Sequence, residues 1–179
     1  MSGRLIAIVG PSGVGKDSVM AALLAHDPRF KLARRVITRP SDAGGEDFDG
    51  VSEAAFLARE AAGDFALSWP AHGLHYAIPA EVDLLLQDGY DVLANLSRSV
   101  LTQAKTRFDR FDVINLTAKR AVLAKRLTAR GRETAEQIAM RLDRVATLPA
   151  GIDAHEIDNS GALSDTVQAV MTSLYPVKA

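Results

Sequence analysis

The spacing Gly10-Pro11-Ser12-Gly13-Val14-Gly15-Lys16 constrains this chain more than any other stretch. It fits glycine, four residues, glycine, lysine, the pattern of a loop that cradles phosphate. Leu5-Ile6-Ala7-Ile8-Val9 precedes it, an apolar and mostly branched run that reads as a buried strand. The residues from Val19 to Leu24 read as a helix that begins near Lys16. Strand, glycine turn and helix in that order are the context that gives the spacing its meaning. Glycine lets the backbone curl until several N–H groups point at one anion. The helix N-terminus adds the positive end of its dipole. Gly10, Pro11, Ser12, Gly13, Val14, Gly15, Lys16, Asp17 and Ser18 are therefore expected around the phosphates of a nucleotide, with Lys16 reaching the β- and γ-phosphates as a catalytic group.

The position after the lysine departs from the pattern, which asks for Ser or Thr to place a hydroxyl on Mg²⁺. Here it is Asp17, with Ser18 next. A carboxylate is a good Mg²⁺ ligand, so Asp17 is expected to hold the ion directly or through water. The alternative is a simple helix N-terminal cap.

Composition narrows the class. At 179 residues the chain suits one domain with a mobile insertion, and 47% hydrophobic residues suffice for a full core. A formal net charge of −1 leaves no electrostatic footprint for long nucleic acid. The absence of cysteine excludes disulfides and thiolate chemistry and fits the cytoplasm. Met1-Ser2-Gly3-Arg4 runs straight into the first strand, so no signal peptide is expected. No apolar run approaches a membrane span, and no His and carboxylate cluster has the spacing of a structural metal site. Oligomeric state is not legible.

Taken in order, the pattern predicts a strand over 30–37 and a loop over 41–50. A helix capped by Ser52 then runs to about 62, with Phe56 and Leu57 on its apolar side. Two short strands around residues 70–73 predict a hairpin. Pro79 at a first helical position is expected to start a helix that Gly89 ends. A buried strand over 90–96, a helix over 97–107 and a strand over 111–116 follow. Next come helices over 119–130 and 134–146, the second opened by a capping box from Thr134 to Gln137. A short strand over 155–158 and a helix over 163–174 close the chain. Strands alternating with helices imply an α/β fold with a parallel sheet, whose ligands sit beyond the carboxyl ends of the strands.

Arginines crowd the region 126–144. Arg126 and Arg130 share one helix face, Arg141 and Arg144 another, with Arg132 between them. They read as a lid closing over phosphates, because planar guanidinium groups clamp phosphate oxygens and stabilise charge in phosphoryl transfer. The competing reading is a solvated helical hairpin whose arginines pair with Glu133, Glu136 and Asp143. Arg34 and Arg35 have opposite strand faces, so at most one points at a site. Trp69, Met20 and Met140 read most simply as packing.

These segments together resemble the guanylate kinase family of P-loop kinases. The resemblance rests on the loop from Gly10 to Lys16, on Ile37-Thr38-Arg39-Pro40 and on His72-Gly73-Leu74-His75-Tyr76. It continues through Arg126-Leu127, Arg130-Gly131-Arg132-Glu133 and Arg141-Leu142. It implies the three-layer P-loop NTPase fold with a central parallel sheet. The core would span about 1–37, 79–120 and 150–179, with an acceptor-binding region at about 38–78 and an arginine-rich helical lid at about 126–146. It also implies that Asn159, in the segment Asn159-Ser160-Gly161, lies against adenine.

The departures matter as much. The family reads guanine with carboxylates, yet Leu67 and Ser68 stand where one belongs, and Ala94-Asn95-Leu96-Ser97-Arg98 lacks the family's acidic strand end. A buried donor without an acceptor loses about 1–3 kcal/mol, so GMP is expected to be a poor acceptor. Gly15-Lys16-Asp17-Ser18, Ala66-Leu67-Ser68-Trp69 and Asn95-Leu96-Ser97-Arg98 instead resemble the ribose 1,5-bisphosphate phosphokinases of phosphonate catabolism. That resemblance implies ATP and Mg²⁺, a phosphorylated sugar as acceptor and 5-phosphoribosyl 1-diphosphate as product. Arg126, Arg130 and Asn159 would then serve the nucleotide. Arg35, Arg39, His72, Tyr76, Asn95, Arg98, Arg141 and Arg144 would serve the acceptor, and Arg130 and Arg141 the transferred phosphoryl group. The alternatives are guanylate kinase itself and a non-catalytic binding module on the same fold.

Overall fold

The computed structural model describes residues 2–42, 47–131, 133–143 and 147–177. Five strands, β1 (Leu5–Val9), β2 (Phe30–Leu32), β7 (Asp91–Asn95), β8 (Phe111–Thr117) and β9 (His155–Asp158), form one sheet in the order β2-β7-β1-β8-β9. Every pairing is parallel. Their runs are apolar because both faces are covered. Helices α1 (Lys16–His26) and α7 (Leu163–Leu174) bury Val19, Leu23, Val167 and Val170 against Ile6 and Ile8 on one face. Helices α3 (Val82–Gln87) and α4 (Leu101–Arg107) bury Val82, Leu101 and Ala104 against Leu5, Ala7 and Val113 on the other. This is the expected three-layer arrangement.

A second sheet holds β3 (Val36–Ile37), β4 (Asp49–Gly50), β5 (Phe65–Ala71) and β6 (Leu74–Pro79) in the order β4-β3-β6-β5. Helix α2 (Glu53–Ala61) covers one face, packing Phe56 on Val36 and Ala77. The other face sends Leu67, Trp69 and Ile78 into the main core. Helices α5 (Arg120–Arg130) and α6 (Ala135–Asp143) follow β8. Gly131 ends α5 in the left-handed conformation, φ 66°. The capping box forms at α6: Thr134 N–H donates to Gln137 Oε1 at 2.9 Å and Gln137 N–H to Thr134 Oγ1 at 3.2 Å. Ser52 Oγ likewise accepts from Ala55 N–H at 3.1 Å. Among the described residues no helix is long and apolar enough to cross a membrane.

Several expectations are corrected. The strand over 30–37 is two strands in two sheets: Ala33 N–H still donates to Leu93 O at 2.9 Å, and the chain then leaves β7 to pair Val36 with Ala77. Asp49–Gly50 is a strand rather than loop, because Val51 N–H reaches Ile37 O and draws it alongside β3. Pro79 ends β6 opposite Phe65, where the ladder stops and no donor is needed, and α3 begins only at Val82. Leu57 is 47% and Met140 66% exposed, so neither packs in the core.

Candidate active site

The phosphate loop joins β1 to α1 at the carboxyl end of the parallel sheet. Its shape needs its glycines. Gly13 has φ +84° and Gly15 φ +100°, and a Cβ on Gly15 would stand 2.7 Å from Asn159 Nδ2. Val14 is fully buried and anchors the loop under the second core cluster. Lys16 Nζ donates to Gly10 O at 2.7 Å. Burial, and then the nearby Arg35, pull the Lys16 ammonium down to about 8; Asp17 opposes this, while Arg98 and Arg130 add to it. The loop is therefore ringed by positive charge. Asp17, exposed in the first turn of α1, is the acid that answers it. The helix cap itself is Gly15 and makes no side-chain bond.

The loop's carbonyls are held from the lid helix and from the turn after β9. Arg126 donates to Val14 O at 2.9 Å, to Gly13 O at 3.4 Å and to Asn159 O at 2.7 Å. Asn159 is buried; its Nδ2 donates to Val14 O at 2.7 Å, and its Oδ1 accepts from Thr166 Oγ1 at 2.5 Å. Both residues, expected against the nucleotide, thus grip the loop. Thr166, on α7, has no motif that would have marked it.

Facing the loop is one side of the second sheet. Ile37 pairs with Tyr76 and Trp69 with Tyr76, so these side chains share a face. The Trp69 and Tyr76 rings stack at 5.7 Å and 11°. Arg35 lies over Tyr76, guanidinium carbon 4.9 Å from the ring centroid, and donates to Asn95 O at 3.4 Å. Burial pulls Arg35 down to about 10, while Tyr76 and Asp17 act to raise it and Arg39 to lower it. Arg34 takes the opposite face and pairs with Asp47 at 3.2 Å, so of the two only Arg35 turns inward. Arg39 covers the Phe48 ring at 4.3 Å.

Trp69 is 5% exposed, and its Nε1 donates to Ser97 Oγ at 2.9 Å, tying the sheet to the turn that carries Arg98. Burial lowers the Arg98 pKa, and Glu156 opposes the shift. Glu156 in turn accepts both 3.0 and 2.9 Å bonds from Asn115 Nδ2. Asp17, Asp47 and Asn95 line a cavity of about 240 Å³. A larger cavity, about 300 Å³ between Leu32–Arg34 and α3, holds no residue of the loop.

Ser68 and Leu67 leave the carboxylate position empty of charge. Ser68 faces α2 and donates to Glu60 at 2.7 Å, and Leu67 is 1% exposed. His72 is exposed at the hairpin tip with φ 53°. His75 turns to α2, 3.7 Å from Glu53 and 5.4 Å from the Phe56 ring.

On the lid, Arg141 pairs with Glu133 at 2.6 Å and also donates to Ser12 Oγ at 2.7 Å. The paired and phosphate-side readings of this residue therefore coexist. Arg120 pairs with Asp143 at 2.7 Å. Arg130 is exposed at the end of α5. Arg132 and Arg144 lie outside the described residues.

No family model matches the chain. It is 54% identical to ribose 1,5-bisphosphate phosphokinase PhnN of Ruegeria sp. (strain TM1040) over 167 residues, 92% of this chain and 88% of that protein. The protein of the same name from Agrobacterium fabrum is 49% identical, with 95% of each covered, and that from Pseudomonas paraeruginosa 46%, with 97% and 96% covered. In three dimensions the chain resembles guanylate kinase from Anaplasma phagocytophilum, TM-score 0.65 at 16% identity, covering 97% of this chain and 85% of that one. A gluconokinase from Sinorhizobium meliloti superposes with TM-score 0.54 at 17% identity, covering 97% and 91%. Identities this low carry the fold alone.

Proposed function

The chain belongs to the ribose 1,5-bisphosphate phosphokinases, and from that premise we propose that it transfers the γ-phosphate of ATP to ribose 1,5-bisphosphate in the cytoplasm. An anionic oxygen of the anomeric phosphate attacks the γ-phosphorus in line. The bond from that phosphorus to the β,γ-bridging oxygen breaks, releasing ADP and leaving 5-phosphoribosyl 1-diphosphate. The attacking oxygen is already ionised near neutral pH, so the protein's work is positioning and charge neutralisation.

The amides of the loop from Gly10 to Ser18 would hold the donor phosphates, with Lys16 on the β- and γ-oxygens. Arg130 and Arg141 would meet the transferred phosphoryl group from the lid. Arg35, Arg39, His72, Tyr76, Asn95, Arg98 and Arg144 would hold the acceptor, between the region at about 38–78 and the core. An exposed carboxylate beside the loop is the hard oxygen donor that Mg²⁺ prefers, so Asp17 would hold the ion, directly or through water. That ion supplies charge neutralisation at the triphosphate.

The observation that carries the choice of acceptor is the wall made by Arg35 over Tyr76 beside a neutral Asn95. It meets guanine's donors with positive charge and a neutral amide, and the carboxylates of the adjoining cavity are already set against bases, Asp17 against Arg35 and Asp47 against Arg34. The test is transfer from Mg-ATP with ribose 1,5-bisphosphate and GMP side by side. Product from the bisphosphate alone supports the reading. Product from GMP alone overturns it in favour of guanylate kinase, and product from neither in favour of a binding module.

A further inference from the structure

A phosphate loop works by aiming its N–H groups at one anion. The same peptide units then aim their carbonyls the other way, into protein, where each needs a donor. In this chain the donors come from two distant elements. Arg126 on α5 reaches Gly13 O and Val14 O, and Asn159, after β9, reaches Val14 O from the other side. The two are joined to each other, since Arg126 also donates to the Asn159 carbonyl. Asn159 is oriented in turn by Thr166, which is 2% exposed on α7, and its backbone N–H is fixed on Thr117 O at 2.7 Å. Leu127 of α5 closes the space beside Gly13, where a Cβ would stand 3.2 Å from its side chain.

We infer that Thr166, Asn159 and Arg126 form a clasp on the back of the phosphate loop, and that Thr166 is a positioning residue for the donor nucleotide although it touches none of it. The inference rests on the loop being the donor site. The clasp fixes the Val14–Gly15 peptide in the orientation that presents the Gly15 amide, while Val14 N–H closes a turn on Pro11 O at 3.2 Å. It also binds the loop to the second half of α5 through Arg126. Gly15 is glycine for a second reason here: a side chain would strike the Asn159 amide.

The test uses the full chain and ADP as probe. Thr166→Val keeps the shape and removes the donor to Asn159, which leaves the amide unfastened. ADP affinity by calorimetry is expected to fall about three- to tenfold, the loss of one buried hydrogen bond. KM for ATP is expected to rise with it, while KM for the acceptor stays within about twofold, a split read with the same principle of one lost bond. Amide hydrogen exchange at Gly13–Lys16 should quicken, and Thr166→Ser should restore all three readouts. A merely structural threonine would lower the melting temperature without dividing the two KM values. If Thr166→Val does not fold, Arg126→Lys serves, because an ammonium cannot fork between Val14 O and Asn159 O. Wild-type binding with unchanged affinity in the variant, or an equal loss toward both substrates, overturns the clasp. Failure of the wild-type chain to bind ADP overturns the donor-site reading itself.

Discussion

Lys16 Nζ donates a hydrogen bond to the carbonyl oxygen of Gly10 at 2.7 Å, so the ammonium is held over the loop by the loop's own backbone. Burial lowers it from 10.5 to about 8. The unfolded chain therefore binds more protons than the folded one between those values, and the unfolding free energy of the nucleotide-free protein rises with pH across that window. The cost of the buried charge is complete below about 8. Denaturant melts across the window will show the rise, and Lys16→Met will remove it. Phosphate favours the charged lysine, so nucleotide binding within the window takes up a proton. Calorimetry in two buffers of different ionisation heat measures that uptake directly.

Asp17→Ser restores a hydroxyl after the lysine and removes the carboxylate. The Mg²⁺ concentration for half-maximal rate should rise several-fold. Mn²⁺ binding to the ADP complex, followed by electron paramagnetic resonance, should weaken in parallel. An unchanged metal dependence leaves Asp17 as no more than a favourable charge at a helix N-terminus.

Arg35→Met keeps the stem over Tyr76 and removes the charge. A charge-assisted bond contributes about 1.5–3 kcal/mol, so KM for ribose 1,5-bisphosphate should rise about ten- to a hundredfold. KM for ATP should hold nearly constant. Arg34→Met, on the outer face, should leave both alone.

Ser97→Ala deprives the buried Trp69 Nε1 of its acceptor. An unsatisfied buried donor costs about 1–3 kcal/mol, measurable by urea unfolding. Because that bond joins the second sheet to the turn bearing Arg98, the acceptor KM should rise as well.

Tyr175 donates to Asp91 beneath the sheet, and burial together with that bond pushes its phenol from 10.0 up to about 12. The folded pKa is the higher one, so this contribution is present below 10 and is lost as pH climbs through 12. Tyr175→Phe should flatten the alkaline limb of the stability profile and weaken the protein at neutral pH by about 1 kcal/mol.

The loop and its flanks were legible because every local signal agreed: a branched apolar run, glycines at positions of positive φ, then a helical period. The capping box at Thr134 and the cap at Ser52 were legible for the same reason. The run 30–37 misled because an apolar stretch does not say which strand it will pair with. Its two halves are divided by pairings with Asp91–Leu93 and with Tyr76–Ala77, all far along the chain. Alternation showed that Arg34 and Arg35 diverge, but only the pairing of Ile37 with Tyr76 shows which of them turns inward. Arg126 was visible as one of several arginines, and its grip on backbone carbonyls was not, since carbonyls leave no trace in a sequence. Thr166 sits in an ordinary amphipathic helix, with nothing to set it apart from its neighbours.

The break after Leu32 has a counterpart after Pro79, and the two places are neighbours: Leu32, Ala33 and Arg34 line the same cavity as Pro79, Glu81 and Val82. The chain therefore leaves the five-stranded sheet before Val36 and turns back toward it after Pro79 through adjoining doors, like a cassette seated in a frame. A segment whose ends adjoin does not stretch the frame it sits in, yet Leu67, Trp69 and Ile78 fasten it to Leu5 and Ala7 of β1. A chimaera spliced at these two crossings would therefore have to carry with it the core partners of Leu67, Trp69 and Ile78, because the second sheet and the strand that leads into the loop share one packed interior.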